Sequence, residues 1–362
     1  MRGALPGRQT GMADRSPSRR ARWIRRAAHA SLSLGVVVAV FAFGIPAIAD
    51  YGEVWQTLRA MPALGFAGLL AISLLSIASY WWVLTAAMPG LTLLQAGLVH
   101  QASTAVANTL PGGGAIGIGV SFAMYRSWGF QPGEIGRSVL VSGVWDAAMK
   151  LALPAAALGL LLASGGGSPG MAAASAAGLA LLSLLVVGLA LVVRSDRLAR
   201  WMGRLFQRAA SWGLARIGRP PALGWEDRMS RLRSSAVEVV RSRWLRLTVA
   251  AAGSHLALFG VLYVALRVVG VPADAVAFVE AFGAFAFVRL LQVLPITPGG
   301  AGLVELGYAA VLTSGLDDET SAAVVAAILV FRFLSFALPI LFGGACWLAW
   351  RGGAGATASS DR

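Results

Sequence analysis

Runs of roughly 20 apolar residues, each long enough to cross a bilayer, recur along this chain, and no other feature constrains its fold as much. They are Ala30–Ala49, Ala63–Ala87, Ser138–Ala163, Met171–Val193, Leu247–Gly270 and Ser321–Trp350. In hydrocarbon the backbone N–H and C=O groups must find partners inside the protein, so such runs fold as helices. The 362 residues are 57% hydrophobic and 13% charged. The sequence therefore predicts an all-α polytopic membrane protein with about six full transmembrane helices.

The net charge of +14 comes almost wholly from arginine. No soluble domain is long enough to offer those arginines to nucleic acid. They gather instead between spans, where they set orientation and meet anionic lipid. Residues 1–29 carry eight arginines against Asp14, and residues 194–246 carry thirteen against four acids. Both segments are expected on the cytoplasmic side of the plasma membrane, as are both termini, leaving 50–62 and 164–170 outside. Ala30–Ala49 reads as a retained first span, although Ala47-Ile48-Ala49 also fits a cleaved secretory signal. Tyr51–Pro62 is expected to be a short loop. In the basic linker Leu198, Trp201, Met202, Leu205, Ala209 and Trp212 share a helical face, and Met229, Leu232, Ala236 and Val239 repeat the pattern. This predicts two basic amphipathic helices on the membrane surface, the alternative being a solvated linker. The single cysteine, Cys346, excludes an internal disulfide.

Two further apolar regions are broken. Leu93–Leu110 and Ala115–Trp128 flank Pro111-Gly112-Gly113-Gly114, and Ala275–Leu294 and Gly300–Gly315 flank Pro295-Ile296-Thr297-Pro298-Gly299. Proline and glycine interrupt helices. At membrane depth such a break survives only where protein or a watery cavity satisfies the freed backbone. The topology closes if each broken region returns to the side it entered: two re-entrant helical hairpins, the first from the cytoplasm and the second from outside. Two tilted short spans are the alternative for the first. An offset of 186 residues pairs Gly113-Gly114 with Gly299-Gly300, Gly129 with Gly315, and Asp146 with Arg332. The domain at 30–350 thus reads as span–hairpin–span (63–163), a connecting span (171–193) and span–hairpin–span (247–350), an inverted repeat of the kind transporters use. Residues 351–362 form a tail.

These residues carry a resemblance. Leu294-Pro295-Ile296-Thr297-Pro298-Gly299-Gly300-Ala301-Gly302-Leu303-Val304-Glu305 resembles a motif of the flippase-like transmembrane region of lysylphosphatidylglycerol synthases and their stand-alone relatives. Asp50–Trp55, Leu110–Gly114 and Phe331-Arg332 support the likeness, which covers about residues 30–350. It implies a domain that moves a polar-headgroup lipid between leaflets, alongside a partner synthase or glycosyltransferase. Twelve residues follow Trp350, so it implies the translocating half without the synthetic half. The chain departs from many relatives at Ser142-Gly143-Val144-Trp145-Asp146, where they carry Glu-Arg ahead of the aspartate.

Ionised side chains at bilayer depth cost roughly 2.5–3.5 kcal/mol each, so they are paired or functional. The expected substrate-binding set is Gly112, Gly113, Gly114, Asp146, Lys150, Glu280, Arg289, Pro298, Gly299, Gly300, Glu305 and Arg332. Asp146 and Lys150 lie one helical turn apart and form either a self-neutralising pair or a pair that trades partners with a headgroup. Arginine forks suit a phosphodiester. Half-helix N-termini opened by Gly112–Gly114 and Gly299-Gly300 suit an anion. Glu305 pairs with Arg289 or Arg332, or meets a cationic headgroup. His100 and His255 read as interior histidines or as proton carriers. No H-E-x-x-H, C-x-x-C or Walker motif occurs. The only acidic cluster, Asp317-Asp318-Glu319, falls in an outer loop. No catalytic residue, cofactor or metal is expected. A transferase acting on a lipid-linked substrate and a non-transporting regulator are the competing functions.

Overall fold

A computed structural model describes residues 51–110, 113–163, 195–215, 224–292 and 297–353, with five isolated positions between 180 and 188. The predicted spans Ala30–Ala49 and Met171–Val193, the basic arm and residues 354–362 of the tail lie outside the described residues, the isolated positions apart, as do Gly112 and Leu294–Ile296. The described chain is helical: α1 (Tyr51–Ala60), α2 (Ala63–Ala87), α3 (Leu93–Thr109), α4 (Gly113–Ser127), α5 (Pro132–Ala163), α6 (Asp196–Ala215), α7 (Trp225–Val269), α8 (Phe278–Leu291), α9 (Leu303–Leu312), α10 (Asp318–Arg332) and α11 (Leu338–Arg351). Among the described residues, four stretches are long and apolar enough to cross a membrane: α2, α5, most of α7, and α10 with α11. A π-helical turn, Phe333–Ala337, joins α10 to α11, so Pro339 enters at the start of a new helix without breaking the span.

The polarity is inverted relative to a soluble protein. Leu64, Leu75, Trp82, Leu341 and Leu348 are exposed on the outside, while Ser73, Ser76, Gln95, Gln101, Ser142 and His255 are buried. This is a chain solvated by hydrocarbon, with its polar groups gathered inward. Helices close on one another through small residues. A methyl group on Gly343 of α11 would strike the backbone carbonyl of Gln101 on α3, and one on Gly117 of α4 would lie 2.8 Å from Ser103 O.

Helices α2 and α7 run antiparallel. Gly65, at the start of α2, packs on Val268, and Arg243 donates to Thr85 O at 3.4 Å near the other end. The first hairpin, α3 and α4, enters and leaves at the end where α2 stops. There Met88, Leu91, Trp128, Phe130 and Ile135 share one apolar cluster, and Trp350 donates to Ser127 Oγ at 2.9 Å. The second hairpin, α8 and α9, starts where α7 stops, with Phe278 stacked edge-on to Tyr263 at 5.2 Å. It folds back on itself, Gly307 packing on Val288. The hairpins therefore enter from opposite ends of the bundle, as an inverted repeat requires.

Two local expectations are corrected. Tyr51–Pro62 is not a loop: Tyr51–Ala60 is a helix, stopped by Pro62, that packs against α10 with Arg59 over the Trp55 ring at 4.7 Å. The stretch around Met229–Val239 is not a separate surface helix. It runs unbroken into the next span as the 45-residue α7. No proline or glycine interrupts it until Gly253, well inside the span. Its apolar face finds protein: Ala236 and Leu247 cluster with Ala86, Ala87 and Val141. The partner helix α6 lies along its start. Ser230 donates to Asp196 at 2.6 Å, which holds that carboxyl below the usual carboxylate range, and Asp196 also pairs with Arg200.

Candidate functional site

The tips of the two hairpins meet inside the bundle. Asn108, at the end of α3, lies against Gly299 in the break between α8 and α9. That break turns sharply: Gly299, Gly300 and Gly302 have φ of 57°, 72° and 85°, left-handed backbone that a side chain resists. Around the meeting point is a cavity of about 850 Å³, within the range of ligand sites. Ser73, Ser76 and Tyr80 of α2 line it, with His100 and Gln101 of α3, and Gly113 and Gly114 of α4. Asp146 and Lys150 of α5, His255 of α7, Arg289 of α8, Gln292 just after it, Arg332 and Ser335 also line it. Asp146 and Arg332, paired by the repeat offset, thus face one hollow.

Three clusters organise the charges. Lys150 Nζ lies 2.7 Å from Asp146 Oδ2. Asp146 Oδ1 is 3.6 Å from His255 Nε2, which is 3.3 Å from an Arg289 Nη2. His255 Nδ1 sits 3.1 Å from Ala251 O, and a carbonyl only accepts, so Nδ1 carries the hydrogen. That leaves the Nε2 lone pair to receive Arg289. Arg289 Nη1 donates to Gln292 Oε1 at 2.6 Å. In the third cluster Arg332 Nε donates to Glu305 Oε1 at 2.7 Å, both side chains being buried. Arg332 also reaches Gly299 O at 3.4 Å and covers the Phe336 ring at 4.6 Å. Glu305 Oε2 accepts from Gly302 N–H at 2.8 Å, closing the first turn of α9.

Most of the expected residues converge. Gly113, Gly114, Asp146, Lys150, Arg289, Gly299, Gly300 and Arg332 line the cavity. Glu280 and Glu305 do not. Glu280 is exposed at the far end of α8, where it accepts from Ala277 N–H at 3.0 Å. Its acidic side chain suits the positive end of the helix better than a buried hollow. Pro298 opens the short 3-10 turn in the break. Glu305 stands behind Arg332, with both oxygens occupied. It also fills the positive end of α9, the place foreseen for an anion, whereas the first turn of α4 carries no acid. Among the residues the sequence reading did not single out, Gln292 and Ser335 each follow a site arginine by three positions, the helical spacing that could have revealed them. Tyr80, stacked on His100 at 4.5 Å, had no such signal.

The family model described as the transmembrane region of lysylphosphatidylglycerol synthase matches residues 31–343. The chain belongs to that family. The matched range contains both hairpins and every residue that lines the cavity. No curated protein matches the chain. Membership in the lysylphosphatidylglycerol synthase transmembrane-region family agrees with the motif resemblance at Leu294–Glu305 and ties this multi-pass protein to lipid handling.

Proposed function

We propose that this protein moves a lipid with a polar headgroup, a phospholipid or glycolipid, between the leaflets of the plasma membrane. The headgroup passes through the cavity while the acyl chains stay in hydrocarbon. One observation carries the reading: a polar, charged hollow of about 850 Å³ lies where two hairpins from opposite ends of the bundle meet. Each buried charge there costs roughly 2.5–3.5 kcal/mol at bilayer depth, a cost that a purely structural bundle avoids by using apolar side chains. With one hairpin closing the hollow toward each end, small opposed movements of the two repeats would expose it alternately.

In this reading the protein is a translocase, not an enzyme, and works without a cofactor. A synthase or glycosyltransferase supplies or consumes the lipid, and that flux sets the direction. The basic segments keep both termini on the cytoplasmic side. The test is reconstitution of the full chain in unilamellar vesicles holding headgroup-labelled phospholipid, with a membrane-impermeant quencher added outside. Translocation carries quenching past the outer-leaflet half to nearly all of the label. A plateau at half, as in protein-free vesicles, would refute it.

A further inference from the structure

Among the described residues that line the cavity, one charged side chain has no ion-pair partner. Lys150 is neutralised by Asp146 at 2.7 Å and Arg332 by Glu305 at 2.7 Å. Arg289 forms no ion pair with a described carboxylate. Its polar neighbours are the neutral acceptors Gln292 Oε1, at 2.6 Å, and His255 Nε2, at 3.3 Å. Its Nε–H is buried and has no acceptor among the described residues. Among the described residues, three further cavity-lining polar atoms are buried without a partner: Gln101 Oε1, Thr297 Oγ1 and Ser335 Oγ. Buried polar groups are almost always paired, and a cluster of unpaired ones around a hollow marks where a ligand's polar atoms go.

We propose that Arg289 is the anion site of this cavity, and that the cavity selects lipids whose headgroup carries one net negative charge on a phosphodiester. The proposal rests on the reading that a headgroup enters the cavity, and it names which kind. A guanidinium held by neutral acceptors is poised for exchange: a phosphate oxygen replaces Gln292 Oε1 and turns a neutral hydrogen bond into a charge-assisted one. His255 keeps Arg289 oriented through the swap, because its Nδ1–H is fixed on Ala251 O. Thr297 and Ser335 supply hydroxyls for the remaining phosphate oxygens or for neutral hydroxyls of the headgroup. One arginine balances one phosphodiester. A lysyl ester adds two amines to the phosphodiester and so brings a net positive charge into a hollow that already has a positive excess, and no carboxylate among the described lining residues is free to receive it. Asp146 and Glu305 are both already engaged.

The experiment is native mass spectrometry of the detergent-solubilised full chain, titrated with four probes. They are dihexanoyl phosphatidylglycerol, its lysyl ester, dihexanoyl phosphatidylcholine and inorganic phosphate. Phosphatidylglycerol is expected to bind about tenfold to a hundredfold more tightly than the other lipids, the range that one charge-assisted hydrogen bond commands. Gln292→Glu places a carboxylate on Arg289 without changing shape, and should erase that preference while raising the melting temperature or leaving it unchanged. Arg289→Lys keeps the charge and should keep the preference at lower affinity, which separates recognition from folding.

Equal binding of the lysyl ester, or an unchanged preference in Gln292→Glu, would overturn the proposal. Inorganic phosphate binding as tightly as the lipid would overturn the lipid assignment and leave a free-anion site. Charge-selective binding with no leaflet exchange would remove the transport reading alone. Exchange with no charge preference would remove this proposal alone.

Discussion

Arg332 donates from Nε to Glu305 across 2.7 Å, joining the end of α10 to the first turn of α9 after the break. The pair is buried on both sides, and the second Glu305 oxygen holds Gly302 N–H. It therefore fixes the broken backbone in place and sets where the cavity wall stands. The same arginine forms part of that wall, so one contact serves both the fold and the site.

Removing one partner of this pair leaves an uncompensated buried charge. Glu305→Gln should lower stability by about 3–5 kcal/mol, seen as a lower melting temperature of the detergent-solubilised protein. The double variant Glu305→Gln with Arg332→Gln should recover part of the loss, since it buries no unpaired charge. A double variant as unstable as the sum of the two singles would show that the side chains do not act as a pair.

The crossing of α3 and α11 depends on the absence of a side chain at Gly343, where a methyl group meets both Gln101 O and Ala105. Gly343→Val should cost at least ~1–3 kcal/mol through overpacking, because the obstacle is backbone that cannot rotate away. Gly344→Val, at a neighbour whose Cβ direction is open, should be tolerated. Melting temperatures of the two variants check this directly, and equal losses would contradict the assigned helix contact.

Water should reach the hollow but not the outer belt. In a Cys346→Ser background the chain has no other cysteine, so single introduced cysteines report one position each. Ser142→Cys and Ser335→Cys, on the cavity lining, should react with a charged, water-soluble thiol reagent. Leu75→Cys and Leu341→Cys, which face outward, should stay protected in membranes. Protection at Ser142 and Ser335 would mean that the cavity is dry.

Asp146 and Lys150 satisfy each other on one helix face, next to His255. Asp146→Asn frees Lys150 as a second unpaired cation beside Arg289. It should slow leaflet exchange in reconstituted vesicles by roughly tenfold or more, by holding the anionic headgroup too tightly to release. Exchange at the wild-type rate would show that this pair only packs.

The apolar runs and the two proline–glycine interruptions were sufficient, read as sequence, to give an all-α membrane protein with two broken hairpins, because hydrocarbon permits few other solutions. The offset of 186 residues pairs Asp146 with Arg332 in the sequence, and both line the cavity. Which charges pair was settled only in three dimensions. Glu305 lies 27 residues from Arg332 and 16 from Arg289, and sequence separation does not say which arginine it meets. The local geometry does: the turn at Gly302 aims one oxygen back at its own N–H and the other at the span behind. Packing likewise decided the fate of the amphipathic stretch around Met229–Val239, since an apolar stripe has the same spacing whether it meets lipid or protein. Above all, that Arg289 pairs with no described carboxylate follows only from tertiary contacts that hold Asp146 on Lys150 and Glu305 on Arg332. Charge is written residue by residue, but compensation of charge depends on distance.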